Sequence, residues 1–472
     1  MLNRYVGQMM IWLLVISCTA FASDEPRLYT GVIEVPSLGQ LEMTLGVSET
    51  DEDTRILLTV PAQGAENVPL EATFNKNAEL VAELSQAGLI FTVKENDDQT
   101  ALIGKMDQMG MTFEIHFIRV DAAPGLSRPQ TPKGPFPYTS TEISALHPDG
   151  HTLAGTLTIP EGEGPFACAV MITGSGMQDR DETLMGHKPF LVIADYLTRK
   201  GMAVLRFDDR GVGASKVEDT ETLKDVTTLD FVTDVAVMVE AARWQPKIDP
   251  FRVGVIGHSE GGIIGPLVAI EDDKLAFIVM LAGPGVPGNE LMPVQAALLM
   301  KSGGAEQHLI DAVVHATMSL YEMYEFGASE VDLRAQMMEL VDIQLQSQGR
   351  IVSMEEFDAM TDGGLAQFEV PWFQWFMFYD PALTLAQVEC PVLAMNGTLD
   401  MQVSYSQNLP VIEEVMNSAG GDITILEFAG LNHLFQKAET GSIGEYAQIE
   451  TTFEPIALEA MGKWLAEVTD YD

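Results

Sequence analysis

Apolar and polar residues alternate with a period of two over 28–35, 41–46, 55–60, 89–93 and 111–120, the mark of strands with one face buried and the other wet. Turn-forming residues such as Asn96-Asp97-Asp98 separate these runs, because Asn and Asp tolerate the backbone conformations that reverse a chain. Residues 23–126 are therefore expected to form an all-β domain, a β-sandwich or an open barrel. Its lone His116 alternates with apolar neighbours and reads as structural, not as a ligand. The alternation then stops. Residues 127–139 carry Pro129, Pro132, Pro135 and Pro137, and proline, with a fixed φ and no N–H, disfavours both helix and ladder. This stretch reads as an extended interdomain linker.

From residue 140 the periodicity changes. A hairpin with Pro148-Asp149-Gly150 at its turn precedes continuously apolar runs at 167–173, 203–207, 253–256, 277–281, 392–395 and 423–428, with helix-spaced segments between them. Continuous apolar runs belong to strands covered on both faces, and strand-helix alternation belongs to a mostly parallel sheet. Residues 189–200 place Phe190, Ile193, Ala194 and Leu197 on one helical face, with Gly201 positioned to end the helix, and another helix is expected near 229–244. The rhythm breaks over 289–371, a helical, methionine-rich stretch without a strand of the main sheet. That segment reads as a cap inserted into an α/β unit made of 140–288 and 372–472. Directly after it, Trp372-Phe373-Gln374-Trp375-Phe376-Met377-Phe378-Tyr379 is the densest aromatic cluster in the chain. It packs as core or lines an acyl or aryl site.

Composition adds location and excludes some partners. At 472 residues, 46% hydrophobic and 20% charged, the chain is globular and too long for one core. Residues 1–22 read as a signal peptide, with Arg4, an apolar stretch over 9–16 and Ala20-Phe21-Ala22 as the cleavage site; the apolar stretch is too short to span a bilayer. Alternatively, Val15-Ile16-Ser17-Cys18 would leave a lipidated Cys18 at the new N-terminus. Either route exports the protein, to the periplasm or beyond. A formal net charge of −43 argues against nucleic acid or anionic lipid surfaces as partners and fits solubility in a salty or cold medium. Cys168 and Cys390 lie in expected buried strands, at no ligand-like spacing, and read as core thiols.

The chemistry gathers at strand ends. Gly257-His258-Ser259-Glu260-Gly261-Gly262 follows the apolar run 253–256 and precedes a helix-like stretch. Strand, sharp turn and helix around Gly-x-Ser-x-Gly make a nucleophile elbow, in which a tight turn presents the serine hydroxyl above the sheet edge. Serine needs a base and a carboxylate. Asp400 lies just past the apolar run 392–395, and His433 lies in the loop after 423–428. The order Ser259, Asp400, His433 is that of a hydrolase triad. The oxyanion hole requires two backbone N–H groups, one from Glu260, after the nucleophile, and one from the loop beginning Thr173-Gly174-Ser175-Gly176-Met177. Ser175 is the expected donor there and Gly176 its alternative. No metal-ligand cluster and no cofactor motif is evident.

These residues resemble a known family, the two-domain secreted bacterial esterases of the EstD type within the α/β-hydrolase superfamily, whose hydrolase domain is similar to that of the S33 serine aminopeptidases. The resemblance rests on Gly174-Ser175-Gly176 with Gln178-Asp179-Arg180-Asp181-Glu182, and on Arg206-Phe207-Asp208-Asp209-Arg210-Gly211-Val212-Gly213-Ala214-Ser215. It continues through residues 257–262, Leu281-Ala282-Gly283-Pro284-Gly285, 396–403 and 431–436; Met177 departs from it, standing where proline is expected. It implies an α/β-hydrolase fold and hydrolysis of a small-molecule carboxylic ester by Ser259, Asp400 and His433 without metal or cofactor. Aminopeptidase and acyl-thioester hydrolase chemistry use the same fold, and a non-catalytic binding module remains the reading from another class. The charged residues Asp179, Arg180, Asp181, Asp208, Asp209 and Arg210 read as an Arg-carboxylate brace for the active-site loops. His258 reads as a packing residue and His187 as a loop residue. In the usual strand order of this fold two strands separate those of Cys168 and Cys390, about 14 Å at ~4.8 Å per step, too far for a disulfide.

Overall fold

The computed structural model describes residues 26–470 apart from 36–38, 50–53, 61–64, 76–78, 85–87, 109–110 and 122–126. The expected leader 1–22 and Cys18 lie outside the described residues. Contacts divide the chain into two compact units, one of residues 1–129 with 184–187 and 443–450, the other of the remainder.

In the first unit the period-two alternation becomes a closed barrel of β1 (Arg27–Val35), β2 (Gly39–Glu49), β3 (Thr54–Val60), β4 (Ala65–Phe74), β5 (Leu80–Leu84), β6 (Leu89–Glu95), β7 (Ala101–Gln108) and β8 (Met111–Val120), each antiparallel to the next. It is neither a sandwich nor an open barrel. β1 pairs with β8, Leu28 opposite Val120 and Thr30 opposite Ile118, so no edge strand is left. Tyr29, Leu45, Ile56, Phe91 and Phe117 fill the interior, whereas Val32, Ile103 and Ile118 face out. Gly31 makes room for this packing, since a Cβ there would lie 2.0 Å from the Phe117 ring. The first residues of the expected linker are tied down: the Arg128 guanidinium donates to the carbonyls of Ser127, Met185, Ala447 and Ile449.

The second unit is built on an eight-stranded sheet of β9 (Tyr138–Leu146), β10 (Thr152–Pro160), β11 (Phe166–Ile172), β12 (Ala203–Asp208), β13 (Ile248–His258), β14 (Ile278–Leu281), β15 (Val392–Gly397) and β16 (Ile423–Phe428), in the order β16-β15-β14-β13-β11-β12-β10-β9. Strands β11 to β16 run parallel, and the hairpin β9-β10 adds the antiparallel edge. The α-helices among the described residues are α1 (Pro189–Arg199), α2 (Thr228–Arg243), α3 (Gly261–Glu271), α4 (Gly288–Ser302), α5 (Gln307–Glu325), α6 (Glu330–Ser347), α7 (Met354–Ala366), α8 (Pro371–Phe378), α9 (Pro381–Leu385), α10 (Tyr405–Ala419) and α11 (Pro455–Thr469). Adjacent strand residues feed opposite faces: Val255 packs with α2, α3 and α10, and Ile256 packs with α1 and α11. That two-sided burial explains the unbroken apolar runs. Each fully buried Val, Ile or Leu contributes about 1.5–3 kcal/mol.

Helices α4 to α8 form the inserted region and have a core of their own, around Leu320, Tyr321, Leu340, Phe368, Phe373 and Met377. Helical structure runs on to Phe378, so the aromatic cluster is a helix of this region. Leu320 is enclosed, Met292 and Met300 pack at the core's margin, and Met318 is exposed. Among the described residues no helix is long and apolar enough to cross a membrane.

Candidate active site

The elbow is made by glycines where the backbone leaves no room. A Cβ on Gly257 would lie 2.0 Å from the Gly261 carbonyl oxygen, one on Gly261 2.5 Å from that of Ile172, and one on Gly262 2.6 Å from the Gly283 Cα. Between them Ser259 has φ +53°, a left-handed conformation that costs a non-glycine residue about 1–3 kcal/mol. Its N–H donates to the Leu281 carbonyl at 2.8 Å, which anchors the turn to β14. Glu260 is buried; Ser259 is only half-buried.

Asp400 and His433 come together from the loops after β15 and β16. Asp400 Oδ1 accepts the N–H groups of Gln402 and Val403 at 2.8 and 2.9 Å, and Oδ2 accepts His433 Nδ1–H at 2.8 Å. Three donors on one carboxylate fit its ionised form, and the Nδ1–H bond leaves the lone pair of His433 on Nε2, where a base needs it. Asn432 shapes the histidine loop: its Oδ1 accepts the N–H of Leu434 at 3.1 Å and of Gln436 at 2.9 Å. Ser259 meets this pair through its neighbour, since His258 Nε2 lies 3.0 Å from the His433 carbonyl oxygen. A direct hydrogen bond between Ser259 Oγ and His433 is not among the contacts formed; in unliganded sites such bonds often tighten only around substrate.

The loop after β11 crosses the elbow. A Cβ on Gly174 would lie 3.2 Å from that of Ser259. Ser175 and Gly176, the latter at φ +95°, follow it and are exposed. Among the described residues the backbone N–H groups of Ser175, Gly176 and Glu260 have no internal acceptor, as an oxyanion hole requires. The Glu260 side chain turns inward, accepting Thr228 Oγ1–H at 2.6 Å and the indole N–H of Trp372, on α8, at 2.8 Å. Burial pushes its carboxyl above the usual range, partly offset by these bonds and one from Ser175.

The charged residues of the loops form the expected brace. Asp208 accepts Arg180 Nε at 3.0 Å and Nη2 at 2.7 Å, and Arg206 pairs with Asp181 and Arg210 with Asp234. Burial, then the charge of Arg180, pulls the Arg206 guanidinium down to about 10. Asp209 is enclosed, and burial raises its carboxyl well above the ordinary range while it accepts Thr173 Oγ1–H and the Gln178 N–H. His187 lies in the loop before α1, as expected, and is fully buried, its Nε2 2.9 Å from the Tyr446 carbonyl oxygen. His258 differs from the packing residue expected and is a polar junction: Nδ1 lies 2.9 Å from Glu182 Oε1, which also accepts the Gly174 N–H at 2.9 Å.

Among the described residues one cluster offers metal-ligand side chains, His147, His151 and Asp234. It does not fit a cation. His147 Nδ1 accepts the Asp149 N–H at 3.1 Å, so the proton of the neutral ring sits on Nε2, the atom that would have to ligate, which is hydrogen-bonded to Thr233 Oγ1 at 3.1 Å and lies 3.8 Å from Asp234 Oδ1. The Arg210 guanidinium, 2.7 Å from Asp234 Oδ2, already supplies the positive charge.

Residues 188–437, more than half of the chain, match the family described as serine aminopeptidase, S33. The chain is 27% identical over 315 residues to Esterase EstD of Thermotoga maritima, covering 67% of this chain and 66% of that protein. It is 28% identical over 204 residues to Esterase FrsA of Yersinia enterocolitica, covering 41% of this chain and 45% of that one. It thus spans about two thirds of the first relative's length and under half of the second's. Among solved structures, an esterase of Pyrococcus furiosus is 13% identical, with a TM-score of 0.40 over 73% of this chain and 96% of that one.

Proposed function

The chain belongs to the serine aminopeptidase S33 family of α/β-hydrolases, and from that membership we propose that it is an exported serine carboxylesterase acting on short- to medium-chain acyl esters. The observation that carries the reading is the bond between His433 Nδ1 and Asp400, in a loop joined to the residue beside Ser259. His433 Nε2 takes the proton of Ser259 as Oγ attacks the ester carbonyl, and Asp400 stabilises the imidazolium that results. The N–H of Glu260 and that of Ser175, or of Gly176, receive the developing oxyanion. Collapse breaks the bond to the alcohol, which leaves with the proton from His433. Water then attacks the acyl-enzyme by the same steps in reverse roles.

The names of the relatives support ester over peptide substrates, and so does the site. An aminopeptidase needs a free acid to hold the substrate amine, and Glu182, Asp209 and Glu260, acids in or around the elbow and the loop after β11, are buried and already hydrogen-bonded within the protein. A panel of chromogenic esters beside aminoacyl anilides, with wild type and Ser259→Ala, tests this. Esters should turn over, anilides should not, and the variant should fall to the residual rate of binding and oxyanion stabilisation alone. Preferential anilide cleavage, or full ester turnover by the variant, would overturn the proposal.

A further inference from the structure

Both ring nitrogens of His258 face acceptors, Glu182 Oε1 at 2.9 Å and the His433 carbonyl oxygen at 3.0 Å. A neutral imidazole has one N–H, and a carbonyl oxygen has no proton to give, so both contacts are hydrogen bonds with an ionised Glu182 only if both nitrogens are protonated. We infer that His258 is held as a buried imidazolium paired with the Glu182 carboxylate, and that this pair is a positioning device fastening the His433 loop and the oxyanion loop to the nucleophile elbow. The second fastening runs through Glu182, whose Oε1 also accepts the Gly174 N–H at 2.9 Å. Glu182 itself is held at φ +53°, a strained conformation that persists only where surrounding contacts fix it.

The surroundings contain few other charges. The groups facing His258 are Glu182, the His433 ring at 4.7 Å between centroids, and the more distant charge of Asp400. The rest of the enclosure is apolar, Phe190 and Ile193 from α1, Leu281 from β14, and Leu434, Phe435 and Phe453. Burial opposes the charged ring, but Glu182, by charge and hydrogen bond, and then the His433 carbonyl outweigh it and raise the pKa of His258. The raised direction fixes the sign: with Glu182 ionised, the contribution of the charged ring is present below the ordinary imidazole value and is lost as pH rises through the higher folded-state value. Loss of either proton sets a lone pair against an acceptor and frees one end of the junction.

The catalytic consequence rests on the esterase reading; the protonation state does not. In full-length protein labelled with 15N-histidine, with His258→Gln used for assignment, both ring nitrogens of His258 should show the imidazolium pattern at pH 7. They should keep it to higher pH than an unperturbed imidazole does. A neutral pattern at pH 7 would overturn the inference, whatever the enzyme hydrolyses. In kinetics, Glu182→Gln removes the counter-charge, so the alkaline limb of kcat should move to lower pH by about one unit or more, with KM changed less than about twofold. An unshifted limb with a uniform loss at every pH would reduce the pair to a structural contact. If the wild type turns over no ester at all, the proposed function fails, and the resonances of His258 still decide this inference.

Discussion

Both carboxylate oxygens of Asp400 are engaged by donors. Oδ1 is taken by two backbone N–H groups and Oδ2 by His433, so Asp400→Asn must set its NH2 against donors and favour the wrong tautomer of the imidazole. The expected outcome is a fall in kcat on the order of 10⁴-fold with KM nearly unchanged, read by steady-state ester hydrolysis; a loss below about tenfold would remove Asp400 from the orienting role. Ser259, Asp400 and His433 could be picked out from sequence because each sits at the end of an apolar run, within a local motif. Glu182 and His258 could not be paired that way: 76 positions separate them, and no periodicity marks either. His258 reads as packing in the sequence because its neighbours are small or apolar, and only the fold supplies its two acceptors.

At the level of elements, the parallel strands are legible because burial on both faces leaves a continuous apolar run. Strands β4, β5 and β7 escape notice because Pro69, Glu71, Glu83, Gly104 and Lys105 interrupt the alternation, while pairing to their neighbours supplies what local pattern lacks. The cap reads correctly as helical, but its apolar residues are largely its own core, which narrows a role in substrate selection to residues reaching the elbow. Trp372 is one: it stacks on Phe376 at 5.2 Å and donates to Glu260. We propose that α8 tunes acyl preference from there. Trp372→Phe should lower Tm by a few degrees, as expected for loss of one buried hydrogen bond to a carboxylate. It should also change the ratio of kcat/KM between short and longer acyl esters several-fold. Equal loss on every ester would assign α8 to support of the elbow alone.

Across the whole molecule, closure of the barrel depends on the pairing of its first and last strands, a long-range contact that no local stretch encodes. The sheet order, by contrast, follows from the fold class, and it places β13 and β14 between β11, which carries Cys168, and β15, which follows Cys390. Both thiols are free; Cys390 stands just ahead of its strand and is half-buried. The formal charge of −43 says nothing of substrate, so the central claim rests on one hydroxyl. The most direct measurement is covalent: the full chain is treated with a fluorophosphonate, which captures serines activated by a base, and the adduct is mapped by peptide mass spectrometry. A single adduct is expected on Ser259, absent from His433→Ala, whereas an adduct on Ser175, or none in a protein that still hydrolyses esters, would overturn Ser259 as the nucleophile.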